Sequence, residues 1–302
     1  MDNSYQIAFL GHYTKDTIVS SSGTRVVNGG AFNYGSQVAA RMGLKTLAIT
    51  RLAHQDAGVI RELEGLGVKV LVWWTPQSTG LKLVYPTDNP DQRIIYVSSW
   101  AGAFSAEEVD KIESEVIVVG ASMREEVPPD IIKLLATKKS ILAADIQSFL
   151  RVNDNGKLEA KPWLEQKEIL SSIAVLKTDA VEAELLTGEK DLKKAVLKIA
   201  SLGPREVVAT HKEGVLVFAE GKFYYASFYP RKLVGRSGRG DTCLASYMSK
   251  RINSSPAEST IWAAALTSLK MEAEGPFRRP IEDVEKLIRE KYQEQDNQGG
   301  IP

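Results

Sequence analysis

The sequence predicts an α/β fold in which helices cover both faces of a mostly parallel central sheet. The first observation is that short apolar runs of strand length alternate with helical patterns along the chain. Alternation of this kind indicates a parallel sheet, because each crossover helix returns the chain to the same edge. The second is an ordinary globular composition over 302 residues, 43% hydrophobic and 25% charged, which suits one large domain or two modest ones.

Each predicted element follows from its local pattern. Strands are apolar and rich in β-branched residues, as in Val116-Ile117-Val118-Val119. Helices have spaced apolar positions, and small residues in the first helix allow close packing. The predicted strands cover residues 6–10, 46–51, 68–73, 116–119, 140–145, 173–177, 206–210, 214–219 and 223–226. The predicted helices cover residues 32–42, 58–65, 129–136, 181–186, 191–201, 242–248 and 263–269.

Two segments interrupt the alternation. Residues 17–27 are rich in Val, Ser and Thr, and residues 81–99 read as two strands joined by a turn of Pro, Asn and Asp residues at 86–91. We predict a small antiparallel β flap, formed by segments at approximately 12–28 and 77–100 and inserted into one domain over residues 1–302. The polar end at 293–302 is expected to fray.

Charge and cysteine content exclude several classes of function. Lys plus Arg equals Asp plus Glu at 38 each, and without a long basic run the sequence predicts no nucleic-acid partner. No apolar run is long enough to span a bilayer, so no membrane partner is expected. The single cysteine, Cys243, allows no internal disulfide and favours a reducing, cytoplasmic location. The three histidines are scattered, which argues against a zinc site.

The run Gly238-Arg239-Gly240-Asp241 carries the strongest chemical signal. A glycine-rich turn opens a helix here, and free N–H groups at a helix N-terminus attract an anion such as phosphate. A carboxylate repels phosphate, so Asp241 is best explained as a general base that takes a proton from a substrate hydroxyl. The alternative is an ordinary turn in which Asp caps the helix.

Other nucleotide motifs are missing: the sequence contains no Gly-x-x-x-x-Gly-Lys-Ser/Thr, and no Gly-x-Gly-x-x-Gly follows the first strand. Over nearly its whole length the chain resembles the ribokinase-like (PfkB) family of sugar, polyol and nucleoside kinases. The resemblance implies a three-layer ribokinase-like fold with a β lid, ATP and Mg²⁺ as cofactors, and Asp241 as the catalytic base. The backbone of Gly238, Arg239 and Gly240 would form the anion hole.

The chain departs from the family just before this motif. Gly235-Arg236 stands where the family usually has an Asp-Thr pair. The departure leaves the base intact but changes the expected cation-site and nucleotide-loop contacts. Arg236 or Arg239 could instead supply positive charge to the phosphates.

The resemblance also implies an acceptor site near the N-terminus. Gly29 and Gly30 match a Gly-Gly pair that leads into a substrate-binding Asn, for which either Asn33 or Tyr34 is the candidate here. Asp16 resembles the family's acid that accepts hydrogen bonds from sugar hydroxyls. Without the resemblance, Asp16 would read as a solvated surface carboxylate, and the glycines as a loop before a helix.

The middle of the chain resembles the inositol-kinase-like branch of the family. Asp145 and Gln147 lie in the run Asp145–Arg151, at a strand end, where ligands bind in open α/β sheets. This run either lines a substrate cleft or caps the next turn.

The predicted metal and phosphate residues follow the next strand. Asp179-x-x-Glu182, followed by Leu-Thr-Gly, resembles the family motif that places magnesium, usually through water. The same acids also suit plain electrostatics at a helix N-terminus. Lys177 would reach the donor phosphates or be a surface charge.

The predicted nucleotide contacts are spread over the C-terminal half of the chain. Thr210 and Gly214 resemble a turn near the nucleotide. Ala265 and Ser268 lie on a helix of small residues that the family places beside adenine, and such residues also serve helix packing.

The function predicted from these residues is ATP-dependent phosphorylation of a small polyol or sugar, with myo-inositol as the first choice. The flap would close over the substrate and exclude water. A nucleoside or furanose sugar is the alternative acceptor. A non-catalytic nucleotide- or sugar-binding regulator on the same fold is the alternative function. The flap could also pair edge to edge in a homodimer.

Overall fold

The computed structural model describes residues 4–21, 23–87, 93–235 and 237–292. Within these residues the larger sheet has nine strands, and neighbouring strands pair in parallel except β13 with β14 and β14 with β15, which are antiparallel. In spatial order the strands are β15 (Lys222–Ser227), β14 (Gly214–Ala219), β13 (Glu206–Thr210), β12 (Val175–Asp179), β9 (Ile141–Asp145), β8 (Ser114–Val119), β1 (Tyr5–Leu10), β4 (Thr46–Leu52) and β5 (Lys69–Trp74). The predicted fold class, an α/β fold with a mostly parallel central sheet, is confirmed.

Helices cover both faces of this sheet, because its strands are apolar on both sides. In β1, Ile7 and Phe9 join one apolar core, and Ala8 and Leu10 join the other. The first core is covered by α1 (Ala31–Arg41), α2 (Gly58–Glu64), α9 (Arg239–Arg251), α10 (Pro256–Met271) and α11 (Ile281–Lys291). The second is covered by α3 (Ala106–Asp110), α4 (Pro129–Ala136), α5 (Gln147–Leu150), α6 (Gln166–Leu170), α7 (Ala180–Thr187) and α8 (Leu192–Ala200). A short 3₁₀ helix spans His54–Asp56.

The flap segments form four strands of a second, six-stranded sheet within the described residues, and a hairpin at 151–160 adds the other two. Its strands, in spatial order, are β10 (Arg151–Asp154), β11 (Lys157–Ala160), β7 (Ile94–Ser99), β6 (Thr79–Val84), β2 (Thr14–Ser20) and β3 (Gly23–Gly29). The prediction of an antiparallel flap is wrong for one pair, because β2 and β6 run parallel. The reason lies in the main sheet: β2 and β6 follow β1 and β5, which are parallel, so both segments leave the sheet in the same direction.

The hairpin of β10 and β11 was not predicted, although its turn carries a strong signal. Asn155 and Gly156 both have positive φ, at 51° and 86°. An Asn-Gly pair with this conformation is the favoured two-residue hairpin turn. The helix α11 and the short α3 were also missed. Three predictions concern residues outside the described ones: the flap turn at 88–91, Arg236, and the frayed end at 293–302.

The second sheet sits at the carboxyl ends of the main strands, since β2 and β6 each continue from such an end. Its edge strands are β10 and β3, and Val26 on β3 is 56% exposed. The homodimer through this sheet and the division into one domain both stay predictions. Among the described residues, no helix combines the length and apolar character that a membrane span requires.

Candidate active site

The turn before α9 has the geometry of an anion-binding loop. Gly238 occupies the N-cap position with φ 73° and ψ 11°, and it provides no side-chain cap. Thr242 N donates to the Gly238 carbonyl at 2.9 Å, which starts the helix. Asp241 therefore lies in the first helical turn and is not the cap. This excludes the plain Asp-capped turn, and it leaves the first N–H groups of α9 without a side-chain cap, as at a helix N-terminus that binds an anion.

Both glycines of the motif are required by close neighbours. A Cβ on Gly238 would overlap the ring of Tyr34, which covers the loop from α1. A Cβ on Gly240 would lie 2.6 Å from Lys177 Nζ. The left-handed φ at Gly238 adds backbone strain for any other residue. The motif is thus packed between a tyrosine on one side and a lysine on the other.

We expect Gly238→Ala to lower kcat/KM by about 100-fold, because the methyl group displaces Tyr34 and shifts the N–H groups of α9. Gly221→Ala is the matched control, since Gly221 has φ 74° and open space around its Cβ. The left-handed conformation should cost each variant about 1–2 kcal/mol of stability. Steady-state kinetics and urea unfolding of both variants measure the two effects. Equal kcat/KM for the two variants would contradict this role of Gly238.

Lys177 forms a buried charge cluster at the ends of the central strands. Its ammonium is 2.9 Å from Asp145 Oδ2 and 3.7 Å from Glu182 Oε2, and the residue is 4% exposed. Burial alone would lower the pKa of Lys177, but the carboxylates of Asp145 and Glu182 more than offset burial and raise it. Burial raises the pKa of Asp145, and Lys177 opposes that rise. Lys177 is therefore no surface charge but a fixed cation beneath Gly240.

The two acids predicted to place a metal form a capping box at the start of α7. Glu182 N donates to Asp179 Oδ1 at 2.8 Å, and Asp179 N donates to Glu182 Oε2 at 3.0 Å. Glu182 also lies 3.4 Å from Arg151. No group of three or more potential metal ligands occurs in the part of the chain that the structure describes. The predicted role of Asp179 and Glu182 in placing Mg²⁺, through water, stays a prediction.

Asp16 on β2 brings a second buried carboxylate to this end of the sheet. Burial raises its pKa to about 7, with smaller effects from Thr14 and Arg93, which lower it, and Asp241, which raises it. Its Oδ1 has no hydrogen-bond partner among the described residues. Gly29 packs against this carboxylate, because a Cβ there would be 2.5 Å from Asp16 Oδ2. Gly30, with φ 93°, packs against the carbonyl of His12.

The structure separates the two candidates on α1. Asn33 is bound internally, because its amide donates to the Asn28 carbonyl at 3.2 Å and its Oδ1 accepts from Gln37 at 3.0 Å. Tyr34 lies against the anion loop, and its buried hydroxyl has no partner in the described residues. The backbone N–H of Gln147 donates to Asp145 Oδ1 at 3.1 Å. Of the two, Tyr34 is therefore the one whose side-chain polar atom has no hydrogen-bond partner among the described residues.

The predicted nucleotide residues fall into two groups. Thr210 ends β13, beside Asp179 in the next strand, and Gly214 begins β14 at the same edge. Ala265 and Ser268 are fully buried in α10. Ser268 Oγ donates to the Ala264 carbonyl at 2.6 Å and accepts from Tyr229 N at 2.9 Å. The structure thus brings the first pair to the edge of the site and packs the second inside the protein.

Burial raises the pKa of Asp241, and four cationic side chains oppose it. They are Lys177, Arg151, Lys270 and Arg93. Sequence reasoning missed the last three as site residues. Arg151 begins the unpredicted β10, and Arg93 precedes β7, so both come from the second sheet. Lys270 left a signal, since it is the only charged residue in the stretch Leu266-Thr267-Ser268-Leu269-Lys270-Met271 of α10.

Comparisons with known proteins identify the family of this chain. The sequence model described as pfkB family carbohydrate kinase matches residues 5–279. The structure is similar to a pyrophosphate-dependent kinase in the ribokinase family, solved with a pyrophosphate analog and myo-inositol. The TM-score is 0.86 at 35% identity, over 93% of this chain and 100% of that one.

Two further solved structures extend the likeness. A pyrophosphate-dependent myo-inositol-1 kinase, converted by two substitutions into a myo-inositol-3 kinase, has a TM-score of 0.86 at 35% identity and covers 95% of this chain and 100% of its own. Ribokinase from Arabidopsis thaliana, complexed with ribose and ATP, has a TM-score of 0.74 at 19% identity over 95% and 99% of the two chains, a likeness of fold. Comparison with curated proteins gives no match.

Proposed function

The chain belongs to the pfkB family of carbohydrate kinases and is a sugar or polyol kinase, and we propose that it phosphorylates a hydroxyl of myo-inositol or a similar polyol, with pyrophosphate as the donor. The observation that carries the proposal is the position of Asp241. Its carboxylate shares the first turn of α9 with the anion loop, and its charge also acts on Asp16 of the second sheet. The proposed base thus lies within the proposed phosphate site, and its charge reaches the proposed acceptor carboxylate, which supports one shared site.

Buried hydrogen-bonding groups without partners support a polyol as the acceptor of the phosphoryl group. A polyol presents many hydroxyl groups, so its site needs several acceptors and donors that the protein does not use itself. Asp16 Oδ1 and the Tyr34 hydroxyl are buried and lack partners in the described residues. Asp145 lies at the carboxyl end of β9, and Gln147 begins α5 two residues later. The similar kinase solved with myo-inositol supports this ring-shaped polyol as the first choice.

Three observations support pyrophosphate over ATP. The cations that act on Asp241 suit a small, highly charged donor. Ala265 and Ser268, which the family resemblance places beside adenine, are fully buried, and Ser268 is bonded to Tyr229. Similar kinases at 35–36% identity are described as pyrophosphate-dependent. ATP, the donor expected from the sequence, is the alternative.

In the proposed reaction the hydroxyl oxygen of the polyol attacks one phosphorus of pyrophosphate. Asp241 takes the hydroxyl proton, the new O–P bond forms, and the bridging P–O bond breaks to release orthophosphate. The N–H groups of α9 and the Lys177 ammonium stabilise the charge on the transferred group. Mg²⁺ would enter with the donor phosphates, where it would offset their charge, and would meet Asp179 and Glu182 through water.

The proposal is tested by following phosphorus-31 spectra with Mg²⁺, with either pyrophosphate or ATP as donor and with myo-inositol, ribose or adenosine as acceptor. We expect a polyol phosphate and orthophosphate in the mixture of pyrophosphate and myo-inositol, and no product with Asp241→Asn. Product formed with ATP alone would overturn the proposed donor. Product formed only from ribose or adenosine would overturn the proposed acceptor. Donor binding without turnover of any acceptor would favour the regulator.

A further inference from the structure

Lys270 is a buried lysine whose position packing does not explain. It is 2% exposed, one residue from the end of α10. Its Nζ donates to the carbonyl oxygens of Gly235, at 2.8 Å, and of Ser237. The same ammonium lies 5.5 Å from the ring centroid of Tyr34. Burial of an ammonium costs free energy unless hydrogen bonds compensate it, and an apolar side chain would fill this place without that cost.

The residues that Lys270 holds lead directly into the anion loop. Gly235 and Ser237 stand just before Gly238, the N-cap of α9. The end of α10 also binds this segment through its backbone, because the N–H groups of Val234 and Gly235 donate to the Met271 carbonyl at 2.9 and 3.1 Å. In these backbone bonds the segment donates, whereas the Lys270 ammonium donates to the carbonyls of the segment.

We propose that Lys270 is a positioning residue for phosphoryl transfer. Its ammonium gathers the carbonyls of Gly235 and Ser237, so the N–H groups that follow Gly238 point at the donor. It also places a fixed positive charge near Asp241. The part of this inference that concerns catalysis rests on the proposed function, whereas the part that concerns the order of the loop does not.

The charge of Lys270 sets a pH range for this role. Burial lowers its pKa to about 8, the carboxylates of Asp241 and Glu274 oppose that shift, and Arg239 adds to it. The Tyr34 ring also faces the ammonium, and burial raises the pKa of the Tyr34 hydroxyl, which therefore stays protonated. Lys270 is charged below pH 8 and loses its charge above it. Activity should fall as the pH rises through this value.

The test compares Lys270→Met, which keeps the length of the side chain, with Lys250→Met. Lys250 is the matched control because its ammonium lies on α9 over Trp262, 4.5 Å from the ring centroid, away from the loop. We expect Lys270→Met to lower kcat/KM about 100-fold, comparable to the loss of one oxyanion donor. Lys270→Met should also remove the fall of activity near pH 8. Lys250→Met should keep both the wild-type kcat/KM and this fall of activity.

Hydrogen exchange of the amides of residues 237–242 provides a readout that needs no substrate. We expect at least about tenfold faster exchange in Lys270→Met than in Lys250→Met, since about 1.4 kcal/mol of lost loop order corresponds to that factor. Pyrophosphate binding, measured by calorimetry, should weaken in parallel. The proposal would be overturned if Lys270→Met had the same amide exchange rates and the same pyrophosphate affinity as the wild-type protein.

A second arm uses the wild-type protein alone and serves if Lys270→Met does not fold. Above pH 8, the loop amides should exchange faster than the intrinsic pH dependence of amide exchange explains. Pyrophosphate should also bind more weakly in this range. Unchanged binding across this range would overturn the proposal. Altered loop exchange in a protein that phosphorylates no acceptor would leave the loop role of Lys270 standing and reject the proposed function instead.

Discussion

Replacing Asp241 by asparagine will lower kcat by about 10²–10⁴-fold, the usual contribution of a general base. The amide keeps the size of the side chain but cannot accept the hydroxyl proton. KM for the donor should stay the same or fall, because the change removes a negative charge that faces phosphate. The measurement is single-turnover formation of the polyol phosphate, followed beside substrate binding by calorimetry.

Asp110→Asn is the control for this experiment, since Asp110 is exposed at the end of α3. It should behave as wild type. Burial raises the pKa of Asp241, and the base acts only when ionised, so wild-type activity should fall toward acid pH. Turnover of Asp241→Asn within tenfold of wild type would reject Asp241 as the base.

The second large effect is expected for Lys177→Met, on both stability and activity. Loss of the ammonium leaves the buried carboxylate of Asp145 without its 2.9 Å partner. Removing one member of a buried ion pair typically costs about 3–5 kcal/mol. The free energy of unfolding from urea titration should fall by this amount. Turnover should be lost as well, because the cation beneath Gly240 is gone.

The double variant Lys177→Met with Asp145→Asn separates the two effects. It removes the unpaired charge, so most of the lost stability should return. Activity should not return, since both groups face the site. A single variant as stable as wild type would show that the pair contributes little to folding. Recovered turnover in the double variant would exclude Lys177 from catalysis.

The main sheet could be predicted from sequence because its signals are local. Strands such as Glu206–Thr210 are short apolar runs bounded by polar residues, and the structure has the predicted limits. The second sheet was less predictable. Its strands are polar on one side and come from three distant segments, and the parallel pairing of β2 with β6 depends on how β1 and β5 lie in the other sheet.

The site divides in the same way. Gly238, Gly240 and Asp241 lie within four consecutive residues, and together with the family resemblance of the other segments they predict a phosphate loop beside a base. Lys270 carried only the signal of a charge in an otherwise uncharged half of α10. Its partners lie 33 and 35 residues away along the chain. Such a contact depends on how α10 docks against the loop, and local pattern does not specify that docking.

The sequence by itself determined the alternation of strands and helices and, through its resemblance to the pfkB family, the class of chemistry. The tertiary structure alone decided which charges meet. Lys177 and Asp145 stand side by side because β12 is the neighbour of β9 in the sheet, where these two residues are register partners. Strand order arises from the packing of whole elements against a shared core, so the residues of either strand alone do not determine it.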